Sequence, residues 1–170
     1  WVRAFASIYN PELAVHVLKA LQDQGINASL CMVGPDTDGS MDRVKSLATN
    51  LGVSVTITGK LPKKDWIALA KDYNIFINTT NYDNMPVSVI EAMALGLPVV
   101  STNVGGLPYL LQHEKEALLV PPKDVEAFVT AIKQLIYNPV ATKTMTFHAR
   151  KKVEQFDWNL VKHQWIKLLS

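Results

Sequence analysis

Hydrophobic residues in this chain alternate between two periods. Short apolar runs of four to six residues recur at Trp1 to Phe5, Ala28 to Val33, Val53 to Thr58, Asn74 to Asn78, Leu97 to Ser101 and Ala117 to Val120. Such runs, rich in β-branched residues and bounded by glycine or proline, predict buried strands. Between them apolar residues recur at helical spacing. Leu13, Val17, Leu18 and Leu21 make one stripe, after a start at Asn10 and Pro11 and before a stop at Gly25. Val44, Leu47, Ala48 and Leu51 make the next, and Trp66, Leu69 and Ala70 a shorter one. Val87 to Leu95 predicts a helix stopped by Gly96, which accepts a left-handed C-cap. Leu107 to Leu111 predicts one or two helical turns, and Asp124 caps a helix carrying Val125, Phe128, Val129, Ile132, Leu135 and Ile136. Two further helices, around Val140 to Val153 and Asp157 to Leu169, close the chain.

Six strands alternating with helices through short connections predict an α/β fold: a doubly wound parallel sheet, Rossmann-like, with helices on both faces and extra C-terminal helices. The chain has 170 residues, 48% of them hydrophobic, enough for one domain with a sizeable core. The start at Trp1, inside a strand-like run, leads us to expect residues 1–170 to be one domain of a longer protein. The formal net charge of +2 comes from scattered basic residues, without the basic stripe of a nucleic-acid binder. The single cysteine, Cys31, lies in an apolar run and excludes an intrachain disulfide. We therefore expect a reducing, cytoplasmic setting. No apolar run is long enough to span a bilayer, so any membrane association would be peripheral.

In an open sheet of this kind ligands bind beyond the carboxyl ends of the strands. The loops at that edge are Ala6 to Asn10, Gly34 to Ser40, Gly59 to Pro62, Thr79 to Pro86 and Thr102 to Gly106. The stretch from Asn81 to Gly106, NYDNMPVSVIEAMALGLPVVSTNVGG, carries the most chemistry. The first-turn N–H groups near Val87 and Ser88 lack helical partners and suit an anion. Carboxylates at Asp83 and Glu91 beside an anion site make sense if the ligand also carries hydroxyls, as a nucleotide-sugar does.

Each candidate also has a plainer reading. Glu91 either faces solvent or, on a largely apolar helix, accepts from two ribose hydroxyls. Asp83 is either a turn residue or a partner for a sugar hydroxyl. Gly105 and Gly106 permit a tight turn or a close ligand approach. Arg3 is either a surface ion pair or a phosphate contact. Lys60, Lys63 and Lys64 read as a solvated patch, and Trp66, Trp158 and Trp165 as packing residues. His16, His113, His148 and His163 sit in no triad-like pattern, and no Cys/His cluster has metal-ligand spacing. No GxGxxG follows the first strand, which argues against an NAD-binding domain.

DNMPVSVIEAMALGLPVVSTNVGG resembles the signature of retaining nucleotide-sugar glycosyltransferases of the GT-B fold, especially family 4: Glu, seven residues, Glu, then Ala-Met-Ala-x-Gly-x-Pro-Val-Val and a Gly-Gly turn. GPDTDG, ITGKLPKKD, LLVPPKDVEAFVTAI and ARKKVEQFDW resemble other segments of the same family, so the similarity covers nearly the whole chain. The resemblance implies the C-terminal, donor-binding domain of a two-domain enzyme, with the acceptor site on an absent N-terminal domain. It implies that Glu91 holds the ribose and Asp83 touches the donor sugar. Backbone N–H groups around Asn84, Met85, Pro86, Val87 and Ser88 would face pyrophosphate and sugar, proline contributing shape rather than a donor. Leu61 and Gly34 would border the base, for which the family suggests uridine, and Arg3 would meet phosphate. No obligatory metal or other cofactor is implied.

Two departures stand out. Asp83 replaces the usual Glu and is one methylene shorter, which changes its reach. The family's Lys-Gly pair is absent from Ser7-Ile8-Tyr9-Asn10, so one phosphate contact is missing or supplied differently. Other readings of the same architecture are a non-catalytic nucleotide-sugar-binding module and a sugar-nucleotide epimerase. A phosphorylase would need a cofactor lysine that nothing in the sequence marks.

Overall fold

A computed structural model describes residues 1–169. Five strands alternate with eight α-helices. The strands are β1 (Leu30–Val33), β2 (Val55–Gly59), β3 (Phe76–Asn78), β4 (Val99–Thr102) and β5 (Leu118–Val120). The helices are α1 (Pro11–Asp23), α2 (Ser40–Leu51), α3 (Lys63–Leu69), α4 (Val87–Ala94), α5 (Leu107–Leu110), α6 (Val125–Tyr137), α7 (Pro139–Glu154) and α8 (Trp158–Leu169). All ladders are parallel: β1 pairs with β2, and β4 lies between β3 and β5.

The first expected strand, Trp1 to Phe5, is a bridging segment rather than a full strand. Its Arg3 N–H donates to the Val33 carbonyl at 3.0 Å, and the Val33 N–H to the Trp1 carbonyl at 3.0 Å. Val2 and Phe5 make isolated parallel bridges to Val33 and Asp36. On the other side the Trp1 indole donates to the Thr79 hydroxyl at 2.9 Å, just beyond β3. The segment therefore links the two ladders, giving the order β2, β1, N-terminal segment, β3, β4, β5. The doubly wound parallel architecture is present, with five strands and this sixth, irregular member.

Alternation along each strand builds two cores, because successive Cβ atoms face opposite sides of a sheet. Leu30, Met32, Ile77, Val100, Leu118 and Val120 pack under α1, α2 and α6. Phe76 and Val99 face α4, α5 and α7. Cys31 and Val33 face Trp66 of α3, so the cysteine is buried. Asp124 caps α6 by accepting from the Ala127 N–H at 2.9 Å, and Gly96 takes a φ of 78° after α4. Both follow the expected caps.

The last helix departs from expectation. Among its described residues none is buried, and Trp158 and Trp165 are 67% and 54% exposed. Only Trp66 of the three tryptophans packs as expected, because no described residue of α8 joins either core. No described helix is long and apolar enough to cross a membrane. Phe128 is fully buried in the larger core. Phe128→Ala is expected to lower the unfolding free energy by about 3–5 kcal/mol, read by urea denaturation.

Candidate functional site

The buried hydroxyls and amides lie mainly at the carboxyl ends of β3 and β4. Asn78, Thr79, Thr80, Ser101 and Thr102 are all buried there. Asn78 donates to the Ser101 hydroxyl at 3.0 Å, Thr102 to the Thr80 carbonyl at 2.7 Å, and Thr80 to the Tyr82 carbonyl at 2.8 Å. These bonds fix the path by which the loop Thr79 to Pro86 leaves the sheet and enters α4.

The short 3₁₀ turn Ser7–Tyr9 braces that loop from the side. The Asn81 N–H donates to the Ile8 carbonyl at 2.8 Å, its amide to the Ser7 carbonyl at 3.2 Å, and the Thr79 hydroxyl to the Tyr9 carbonyl at 3.0 Å. The turn is itself held by Asp38 and Arg43. Asp38 accepts from the Ser7 N–H at 2.7 Å and hydroxyl at 2.8 Å, and from the Ser40 N–H and hydroxyl. The Ser40 hydroxyl, then the Ser7 N–H and hydroxyl, hold its carboxyl well below the usual carboxylate range. Arg43 joins Glu12 of α1 at 2.8 Å to the hydroxyls of Ser7 and Ser40.

The glycine pair Gly105–Gly106 joins the loop after β4 to the loop after β3. The Gly106 N–H donates to the Asp83 carbonyl at 2.8 Å. A Cβ on Gly105 would stand 2.1 Å from the Asp83 carbonyl oxygen, and one on Gly106 only 1.8 Å from that of Asn84. Gly105 also has a φ of 55°, which disfavours any side chain. Backbone against backbone is the close approach these glycines serve here. Gly34 has the same character, since a Cβ there would stand 1.6 Å from the Arg3 carbonyl oxygen.

Arg3 and Asp83 form an ion pair, with side chains only 15% and 12% exposed. The Arg3 guanidinium also lies over the Tyr9 ring, 4.1 Å from its centroid. Glu91 pairs instead with Lys63, which is 70% exposed, at 2.7 Å. Lys63 was expected to be merely solvated, and neither pairing was legible in local spacing. Glu91 itself is 21% exposed, so it does not sit on a fully solvated helix face. Leu61 is half-buried against the cluster around Trp66, and the Gly34 N–H donates to the Gly59 carbonyl at 2.9 Å. Met85 and Val87 are 61% exposed, while Pro86 and Ser88 are buried at the mouth of α4. No side chain caps that helix.

Four buried side-chain atoms lack a hydrogen-bond partner among the described residues: Arg3 Nε, Asn78 Oδ1, Asn81 Oδ1 and Ser88 Oγ. All belong to the site elements just described, where the sheet edge meets the loops. An apolar cavity lies elsewhere. It measures about 420 Å³ and is lined by Leu18, Leu21, Leu30, Trp66 and Ile75, and none of the predicted site residues lines it. Among the described residues no group of three or more His, Cys, Asp or Glu is placed to hold a metal.

Comparison with known proteins assigns the class. Residues 2–152 match the profile of the family described as glycosyl transferases group 1. The chain belongs to that family, and its fold is that of the C-terminal domain of GT-B glycosyltransferases. It is 27% identical over 151 residues to the sulfoquinovosyl transferase of Arabidopsis thaliana, covering 86% of this chain and 29% of that protein. It is 29% identical over 168 residues to WcaL of Escherichia coli, a putative colanic acid biosynthesis glycosyltransferase, covering 93% and 41%. The chain thus spans less than half the length of these relatives. Among solved structures, the sucrose-phosphate synthase of Thermosynechococcus elongatus superposes with a TM-score of 0.82 at 26% identity, over 99% of this chain and 44% of that one. HepE of Anabaena, solved with UDP-glucose, has the same fold at a TM-score of 0.86 and 23% identity, over 99% and 48%.

Gly106 has a φ of −82°, which alanine adopts freely, so the cost of Gly106→Ala is the clash alone. We expect a loss of about 1–3 kcal/mol, read by urea denaturation. Asp38 yields a pH prediction. Its pKa is depressed in the folded state, so its contribution is present above the unfolded value of 3.8 and disappears as pH falls through the folded value. Asp38→Asn should melt below wild type at neutral pH, the gap closing below about pH 4.

Proposed function

We propose that this chain is the donor-side domain of a retaining glycosyltransferase, binding a nucleotide-sugar at the carboxyl edge of its sheet. One observation carries the reading: the backbone-to-backbone seat of Gly105–Gly106 on Asp83–Asn84. It holds the acidic loop at the open mouth of α4, beside the Arg3 cation. Negative charge is favoured at that mouth by the unpartnered N–H groups and the helix dipole, and Arg3 adds a cation. Alcohols are accommodated by the carboxylates of Asp83 and Glu91.

The two ion pairs are compatible with these roles. Arg3 engages only Oδ2 of Asp83, leaving Oδ1 outside the pair to accept from a sugar hydroxyl. The Lys63 partner of Glu91 is exposed, and such a pair is worth only about 0–1 kcal/mol, so two ribose hydroxyls replace it at little cost. Gly34 and Leu61 border the base. In the full enzyme the bond from the anomeric carbon to the diphosphate oxygen breaks and a bond to the acceptor oxygen forms on the same face. The acceptor's proton passes to the departing phosphate. Arg3 and the α4 N–H groups around Met85 to Ser88 stabilise the charge that collects on that leaving group. A uridine nucleotide fits the family, and HepE was solved with UDP and with UDP-glucose.

A second domain supplies the acceptor site, as the greater length of the relatives supports. The whole enzyme works as a hexosyltransferase in the cytoplasm, and this domain alone binds nucleotide weakly without transfer. Calorimetric titration of the domain with UDP, GDP and ADP tests the reading. Glu91→Ala should weaken the best ligand about tenfold, the effect of losing hydrogen bonds to a charged acceptor. Equal affinity for the nucleoside diphosphate and its 2′,3′-dideoxy analogue would remove Glu91 from the ribose.

A further inference from the structure

The Tyr9 ring has no role in the site as drawn so far, although it touches the Arg3 cation. The Arg3 guanidinium carbon lies 4.1 Å from the centroid of its ring. The residue is half-buried and its backbone is fixed at both ends. Its N–H donates to the Ala6 carbonyl at 2.9 Å, and its carbonyl accepts from the Thr79 hydroxyl at 3.0 Å. Asn10 follows with a φ of 46°, turning the chain directly into α1. The ring is therefore held by the same bonds that brace the loop after β3.

Arg3 thus has two fixed neighbours, a carboxylate edge-on and an aromatic face. They act differently. Asp83 consumes a donor, through Nη2. An aromatic face attracts the guanidinium through its quadrupole and consumes none of its N–H groups. The buried Nε–H has no acceptor among the described residues. A guanidinium restrained in this way also gives up less rotamer freedom when a ligand arrives.

We propose that Tyr9 is a positioning residue: its ring holds the Arg3 guanidinium at the angle that meets the phosphates of a nucleoside diphosphate. It thereby sets affinity for the charged end of the ligand and leaves the nucleoside end unaffected. The inference rests on the donor-site reading above.

Calorimetry with the nucleoside diphosphate that the titration selects, and with its parent nucleoside, tests it. Tyr9→Leu should weaken diphosphate binding about 3- to 10-fold. It should leave nucleoside binding unchanged and have no further effect in an Arg3→Ala background. Tyr9→Phe should stay within about twofold of wild type, because the ring face is retained. Should Tyr9→Leu fold poorly by circular dichroism, ring-fluorinated phenylalanines at position 9 keep the shape and weaken only the face. Affinity for the diphosphate should then fall stepwise with fluorine content. Diphosphate affinity indifferent to ring fluorination, or a Tyr9→Leu loss that persists without Arg3, overturns the role of Tyr9 while leaving the donor site standing. Failure of the wild-type protein to bind any of the nucleoside diphosphates overturns both.

Discussion

The site depends on a place where two loops have no room for side chains between them. Gly105 and Gly106 lie so close to Asp83 and Asn84 that an added Cβ would overlap their carbonyl oxygens. The hydrogen bond from the Gly106 N–H to the Asp83 carbonyl uses that proximity. Because the two loops leave adjacent strands of one parallel ladder, the contact fixes the acidic loop relative to the sheet and to the start of α4. The polar residues buried at the strand ends serve the same geometry: Thr80 and Thr102 donate to loop backbone, and the Asn78 amide donates to Ser101.

Charge is distributed unevenly over this frame. Arg3 and Asp83 are paired where solvent reaches little of either, so the pair is rigid and each partner depends on the other. Glu91 and Lys63 are paired at the surface, where screening makes the interaction weak and exchangeable. The shorter side chain at position 83 bears on this. Aspartate is one methylene shorter than glutamate, and here it spends one oxygen on Arg3. The carboxylate at 91, paired with an exposed lysine, is the less constrained of the two.

The periphery is organised by a third set of bonds. Asp38 and Arg43, both on the surface, fasten the turn Ser7–Tyr9, and that turn holds both Asn81 and the ring beneath Arg3. An exposed network of this kind is screened by solvent, yet it fixes where the turn and the Asn81 backbone sit. The apolar cavity at the far edge of the sheet takes no part in this arrangement.

Period and punctuation in the sequence determined the doubly wound order, most strand and helix positions, the Asp124 cap and the Gly96 stop, because these depend on local propensity and on which face is buried. The stretch from Asp83 to Gly106 also stood out as the candidate site, since its glycines, carboxylates and helix start lie within one βαβ unit. Only the tertiary structure decided the partners: Asp83 with Arg3, Glu91 with Lys63, Tyr9 under Arg3, and Gly105–Gly106 against the loop after β3. These contacts join residues tens of positions apart, and no local pattern encodes which loops a folded sheet brings together. The same reason explains the two errors at the ends. Trp158 and Trp165 look like core residues by composition, but none of the described residues of α8 is buried. The first strand reads as regular, but it makes only isolated bridges, Val2 to Val33 and Phe5 to Asp36.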